Sequence, residues 1–209
     1  MAFLPWYFDV LSPFAYLQLE WITRDWPELV LEPRPVVLGA VLAHHGQLGP
    51  AEIRGKREFT YRYVIWRAWE LGIPLRFPPR HPFNPLAALR LIVAAGGGID
   101  AVRTVFRHIW AEGKGAESLE ELAPLAAELG VDDHTARIAD PVVKEALRAS
   151  TDAALAAGIF GVPTLLVDGQ CFFGQDATPF ALAVQARPQM LREGEYARAA
   201  EIPAGASRR

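Results

Sequence analysis

The 209 residues carry 21 lysines and arginines against 24 aspartates and glutamates, a formal charge of −3, and 51% of them are hydrophobic. That balance gives no electrostatic case for binding nucleic acid or an anionic membrane, and the apolar share is too high for a disordered chain. No apolar run approaches the ~20 residues of a membrane span, and a single cysteine, Cys171, excludes both an internal disulfide and a dithiol active site. The length suits one large domain or a core domain with an insertion. The start, Met-Ala-Phe-Leu-Pro-Trp-Tyr-Phe-Asp, lacks the basic opening and small-residue cleavage pattern of a signal peptide, so a reducing, cytoplasmic setting is expected.

Taken in order, Trp6 to Val10 is apolar and aromatic and reads as a first strand. Ser12-Pro13 is a helix start signal, followed by Phe14, Leu17, Trp21 and Ile22 at helical spacing up to Trp26-Pro27. Leu29 to Val37 is a second extended run, so the first part reads as a βαβ unit. His44 to Pro50 is a glycine-containing loop. Residues 51–71 read as a helix with Phe59, Tyr63 and Trp66 on one face and Tyr61, Ile65 and Trp69 on another. The stripe Phe59, Tyr63, Trp66 and Trp69 is expected to be core. After a proline-rich stretch from Leu75, Asn84-Pro85 opens a helix to Ala95, closed by three glycines. Residues 99–112 form an amphipathic helix, and Ser118 with Glu121 makes a capping box for the next. A short turn over 132–138 and a longer helix over 141–157 follow.

Thr164 to Val167 and Gln170 to Phe173 are two short apolar runs separated by Asp168-Gly169, a dipeptide suited to a type I′ turn. They read as a tight hairpin, entered through Val162-Pro163 and left through Gly174-Gln175-Asp176. A proline just before a strand keeps the Val162 backbone out of the ladder, where a ligand can use it. Thr178-Pro179 starts a last helix to Ala186, and the polar tail is expected to fray. The five histidines show no metal-ligand spacing, so no metal is expected. Cys171 reads as a buried packing residue.

Two motifs carry a resemblance. Tyr7-Phe8-Asp9-Val10-Leu11-Ser12-Pro13-Phe14-Ala15-Tyr16-Leu17 resembles the start of 2-hydroxychromene-2-carboxylate isomerases and the related kappa-class glutathione transferases. Phe160-Gly161-Val162-Pro163-Thr164 with Phe173-Gly174-Gln175-Asp176 is similar to their glutathione-binding end, and Asn84-Pro85-Leu86-Ala87-Ala88-Leu89-Arg90 to their helical segment. The resemblance implies an α/β, DsbA-like thioredoxin fold with an all-helical domain inserted between the βαβ and ββα halves. On this division residues 1–40 and 158–190 form the thioredoxin-like domain, 41–157 the insertion and 191–209 a C-terminal tail. It also implies a cis Val162–Pro163 bond, where base rates alone give trans.

The same resemblance implies glutathione as cofactor, with Ser12 as the catalytic residue beside its sulfur. Val162, through the loop at Pro163, would meet the cysteinyl part and Asp176 with Gln175 the γ-glutamyl end, with Phe173 and Gly174 also binding the cofactor. Ser12 alone also reads as a plain helix cap, and Asp176 as a cap before Thr178. Gln47, Lys56, His45 and His81 are weaker candidates for substrate contact, and part of the aromatic stripe for a flat substrate wall. The implied partners are glutathione and a small aromatic or conjugated acid, with a homodimer as the family's habit. The implied reaction is isomerisation in naphthalene-like aromatic catabolism. Glutathione conjugation or peroxide reduction, and a non-catalytic thioredoxin-fold binding module, remain as other readings.

Overall fold

The computed structural model of the chain describes residues 3–205. Strand β1 (Phe3–Phe8) lies at the centre of a four-stranded sheet of order β2-β1-β3-β4. It pairs in parallel with β2 (Val30–Pro35) and antiparallel with β3 (Thr164–Val167). The crossover from β1 to β2 is helix α1 (Pro13–Asp25), as a parallel pair requires. Strand β4 (Gln170–Phe173) closes the hairpin with β3. At its turn Asp168 and Gly169 both take positive φ, 49° and 74°, the geometry that the Asp-Gly pair supplies at low cost.

Between β2 and β3 run seven helices. They are α2 (Leu38–His44), α3 (Arg54–Leu71), α4 (Leu86–Ala94), α5 (Ile99–Phe106), α6 (Leu119–Glu128), α7 (His134–Ala139) and α8 (Pro141–Ala156). Helix α2 falls between the second extended run and the His44 to Pro50 loop, where the sequence reading gave no element. Helix α5 continues into a π-helical turn, Arg107–Ala111. The capping box forms as read: Glu121 N–H donates to Ser118 Oγ at 3.1 Å, and Ser118 N–H to the Glu121 carboxylate at 3.1 Å.

Helices α3 to α8 share one core with the sheet, and Val41 of α2 packs in a second, smaller cluster with Tyr7, Val36, Ala154, Ile159 and Val162. Trp6 stacks on Phe8 at 4.7 Å, and both rings pack on Phe106 of α5, at 6.1 and 5.7 Å. The aromatic stripe on α3 is a correction. Only Val64 and Ala68 of that helix are buried, while Phe59, Trp66 and Trp69 are 66, 47 and 78% exposed. Both faces of α3 carry large apolar residues, so spacing alone did not say which would dock; the small pair, Val64 and Ala68, lets the backbones approach. The tail is also more ordered than expected as far as Ala199, its last four residues lying outside the described ones. After α9 (Thr178–Ala186) come a 3-10 turn, Pro188–Arg192, and a short helix α10 (Gly194–Ala199) whose Tyr196 stacks on Phe180.

Candidate functional site

The sheet register gathers the relevant segments at one edge. Tyr7 pairs with Thr164 and Thr164 with Phe173, so the chain leaving β1, the Val162–Pro163 entry to β3 and Gly174 after β4 lie side by side. Gly174 N–H donates to Pro163 O at 2.8 Å and Val36 N–H to Phe8 O at 2.9 Å, closing that edge. The Val162–Pro163 bond is cis. Among the described residues neither the N–H nor the C=O of Val162 has a hydrogen-bond partner.

Ser12 is the N-cap of α1, 7% exposed, and its Oγ accepts from Ala15 N–H at 3.3 Å. Its own hydroxyl proton makes no bond among the described residues. Pro13 has no N–H, and the Phe14 N–H also lacks a partner there. The helix therefore opens with one free hydroxyl donor and one free amide donor, at the end where its dipole favours negative charge. Capping and ligand roles for Ser12 are compatible, because one uses the oxygen and the other the proton.

The turn from β1 into α1 is held closely. Ser12 N–H donates to Asp9 O at 3.0 Å, and the Asp9 carboxylate accepts from Leu11 N–H at 2.9 Å and Leu38 N–H at 2.8 Å. Asp9 is fully buried, and burial outweighs those two amide bonds, lifting its pKa from 3.8 to about 7. From the helical insertion, Trp110 Nε1–H donates to Val10 O at 2.8 Å, and His81 Nε2 lies 3.0 Å from Leu11 O.

A second tie runs inside α1. Gln18, fully buried, accepts from Trp6 Nε1–H at 2.7 Å. The indole can only donate, so the Gln18 oxygen faces it and the amide nitrogen faces the other way. That nitrogen donates to Gly174 O at 3.2 Å and Thr178 Oγ1 at 2.9 Å, binding the Ser12 helix to the Gly174–Asp176 corner. Gly174 has φ 99°, and a Cβ there would stand 2.6 Å from Asp176 Oδ1, so the corner requires glycine.

At that corner the Asp176 carboxylate is exposed and neither caps a helix nor bonds a described residue. The cap reading of Asp176 is thus set aside: α9 has no side-chain cap. Gln175 is buried; Arg67 Nε of α3 donates to its Oε1 at 2.9 Å, leaving its Nε2 without a partner among the described residues. Phe173 is half exposed and lies on Phe160 at 5.3 Å.

The weaker candidates scatter. His45 Nε2 meets Ile159 O at 3.1 Å, just before the Val162 loop. Gln47 and Lys56 are exposed, and neither side chain bonds a described residue. Both ring nitrogens of His81 have protein partners. Cys171 is half-buried, and burial raises its thiol pKa, which keeps it protonated. Asp9, Gln18, Arg67 and Trp110 were missed from sequence. Asp9 stood inside the motif that carries Ser12, and Gln18 was a polar residue within an apolar run; Arg67 and Trp110 gave no local signal.

The family profile described as DSBA-like thioredoxin domain matches residues 4–184. The chain belongs to this family. Within it, the chain is 31% identical over 179 residues to 2-hydroxychromene-2-carboxylate isomerase of Pseudomonas putida, covering 81% of this chain and 87% of the relative. It is 28% identical to glutathione S-transferase kappa 2 of Caenorhabditis elegans, covering 87% of this chain and 91% of that one. The solved structure of a selenomethionine 2-hydroxychromene-2-carboxylate isomerase matches with a TM-score of 0.78 at 25% identity, covering 97% and 100% of the two chains. The thioredoxin-like fold is therefore shared, and these relatives are enzymes. No helix among the described residues is long and apolar enough to cross a membrane.

Proposed function

We propose that the chain is a glutathione-dependent isomerase. Its reaction would be of the type that interconverts 2-hydroxychromene-2-carboxylate and trans-o-hydroxybenzylidenepyruvate, in naphthalene-like aromatic catabolism. One observation carries the reading: an uncommitted Ser12 hydroxyl and an unpartnered Val162 peptide edge open at the same end of the sheet. The residues fit glutathione. Val162 offers an N–H and a C=O to the cysteinyl backbone, and Asp176 a free carboxylate to the γ-glutamyl ammonium.

Bound glutathione supplies a sulfur nucleophile whose reversible addition to a conjugated double bond permits rotation about it. The protein's part is to hold that sulfur ionised. An ordinary thiol near pKa ~8.5 is only a few per cent thiolate at pH 7, and lowering it by ~2 units takes ~2.7 kcal/mol. A hydroxyl donor to a charged acceptor contributes ~1.5–3 kcal/mol, and a helix N-terminus up to ~2. Together they suffice without a cationic side chain. Exposed Phe59, Tyr63 and Trp66 of α3, continuous with Phe14 beside Ser12, are the apolar rings available to a flat substrate.

Ser12→Ala should keep the fold and still bind glutathione, but lower kcat by about 10²-fold, the scale of losing one charge-stabilising donor. Unchanged turnover at saturating glutathione would remove Ser12 from the mechanism. Kappa-type transferase or peroxidase activity is the second reading, favoured by the similarity to glutathione S-transferase kappa 2. Turnover of a chlorinated aromatic acceptor in place of the isomerisation would select it.

A further inference from the structure

His81 lies in the proline-rich stretch between α3 and α4, outside both the sheet and the ligand residues. Its Nε2 is 3.0 Å from Leu11 O. A carbonyl can only accept, so Nε2 carries the hydrogen. In the neutral ring Nδ1 is then an acceptor, and the single Tyr61 hydroxyl proton is shared between it, 2.6 Å away, and the His81 carbonyl oxygen, at 2.7 Å. Burial holds the imidazole pKa below its ordinary value, which keeps the ring neutral. The His81 carbonyl is met by Arg57 Nη2 at 2.7 Å, which anchors the backbone of the same residue to α3. The ring is walled by Phe77 and Trp110, and Trp110 takes the preceding carbonyl, Val10 O. Two consecutive carbonyls before Ser12 are thus gripped by two side chains of the insertion.

We propose that His81 is a positioning residue for Ser12: its Nε2–H, the tautomer that the Leu11 carbonyl requires, fixes that carbonyl and with it the turn that aims the Ser12 hydroxyl. The catalytic consequence rests on the reading of Ser12 as the partner of the glutathione sulfur; the clamp itself does not. A tautomer with hydrogen on Nδ1 would set a lone pair against Leu11 O and open the turn. Because a hydroxyl misaimed by a fraction of an ångström loses its donor geometry, a distant ring can govern how well Ser12 works.

The test compares His81→Ala, His81→Gln and Tyr61→Phe in the full-length protein. Without ligand, hydrogen exchange of the Ser12 amide and the nitrogen chemical shifts of the His81 ring are followed by NMR. With glutathione, the bound thiolate is followed by its ultraviolet absorbance. His81→Ala should speed Ser12 exchange about 3- to 10-fold, the scale of one hydrogen bond, and lower the thiolate fraction similarly. His81→Gln, whose amide nitrogen reaches the same carbonyl, should recover both. Tyr61→Phe should leave the ring hydrogen on Nε2, because the Leu11 carbonyl still requires it, and speed Ser12 exchange less than His81→Ala. Unchanged exchange in His81→Ala, a Gln variant as impaired as the Ala one, or a ring hydrogen on Nδ1 in the wild type would each overturn the proposal. If the wild type bound no glutathione, the functional reading would fail, while the exchange and tautomer measurements would still decide the clamp.

Discussion

Asp9 and Ser12 occupy the two ends of one tight turn and use their oxygens differently. Ser12 spends its oxygen on the helix and keeps its proton; Asp9 spends both carboxylate oxygens and its carbonyl on backbone amides. The position of Asp9 has a consequence for stability. Below 3.8 its carboxyl is protonated in folded and unfolded chains alike, whereas between 3.8 and about 7 only the folded chain keeps the proton. Stability from this group is therefore lost as pH rises through that window, at up to about 1.4 kcal/mol per pH unit, and levels off above it. Asp9→Asn cannot ionise. Its amide would turn a donor toward the Leu11 or Leu38 N–H, which costs stability at every pH but adds no slope. Melting temperature against pH should lose that falling segment in the variant, and an unchanged slope would show that Asp9 does not titrate there.

Among the elements, α3 shows where a pattern of residues stops being informative. The hairpin was legible because Asp168-Gly169 specifies its turn locally, and the start of α1 because Ser12-Pro13 specifies a cap locally. Ser12, Val162 and the Gly174–Asp176 corner were legible only through the motif resemblance, and the register then places them at one edge. The ties between them could not be read, since Gln18 meets Thr178 across 160 residues and Trp110 meets Val10 across 100. For α3, helical spacing correctly gave the helix but not its docked face, because aromatic residues stand on both. The exposed assignment can be tested directly. Trp69→Lys should change stability by no more than ~0.5 kcal/mol in chemical denaturation, as surface substitutions do. A buried tryptophan truncated to alanine would cost ~3–5 kcal/mol, and a loss of that size would return Trp69 to the core.

Across the whole molecule the insertion and the sheet share a core cluster, and a charged joint beside it makes their cooperation testable. Glu20 on α1 accepts four hydrogen bonds, two from Arg103 of α5 and two from Arg107 of the turn after it, at 2.8 to 3.0 Å. Burial opposes the charge on Glu20, yet the two guanidiniums hold its carboxyl below the ordinary value. The sign is opposite to that of Asp9: this stabilisation is present at neutral pH and lost as pH falls through the depressed value. Glu20→Gln should lower stability at neutral pH, by less than the ~3–5 kcal/mol of a fully buried pair because both arginines reach water. The gap between variant and wild type should close on acidification. Both proteins should also unfold in a single transition, with the fluorescence of buried Trp6 and Trp110 falling together with helical circular dichroism, because Trp6 and Phe8 pack on Phe106 across the joint. Separate transitions would mean that the helices between β2 and β3 hold together without the sheet, and the turn bearing Ser12 would then part from Trp110 and His81 as the strands melt.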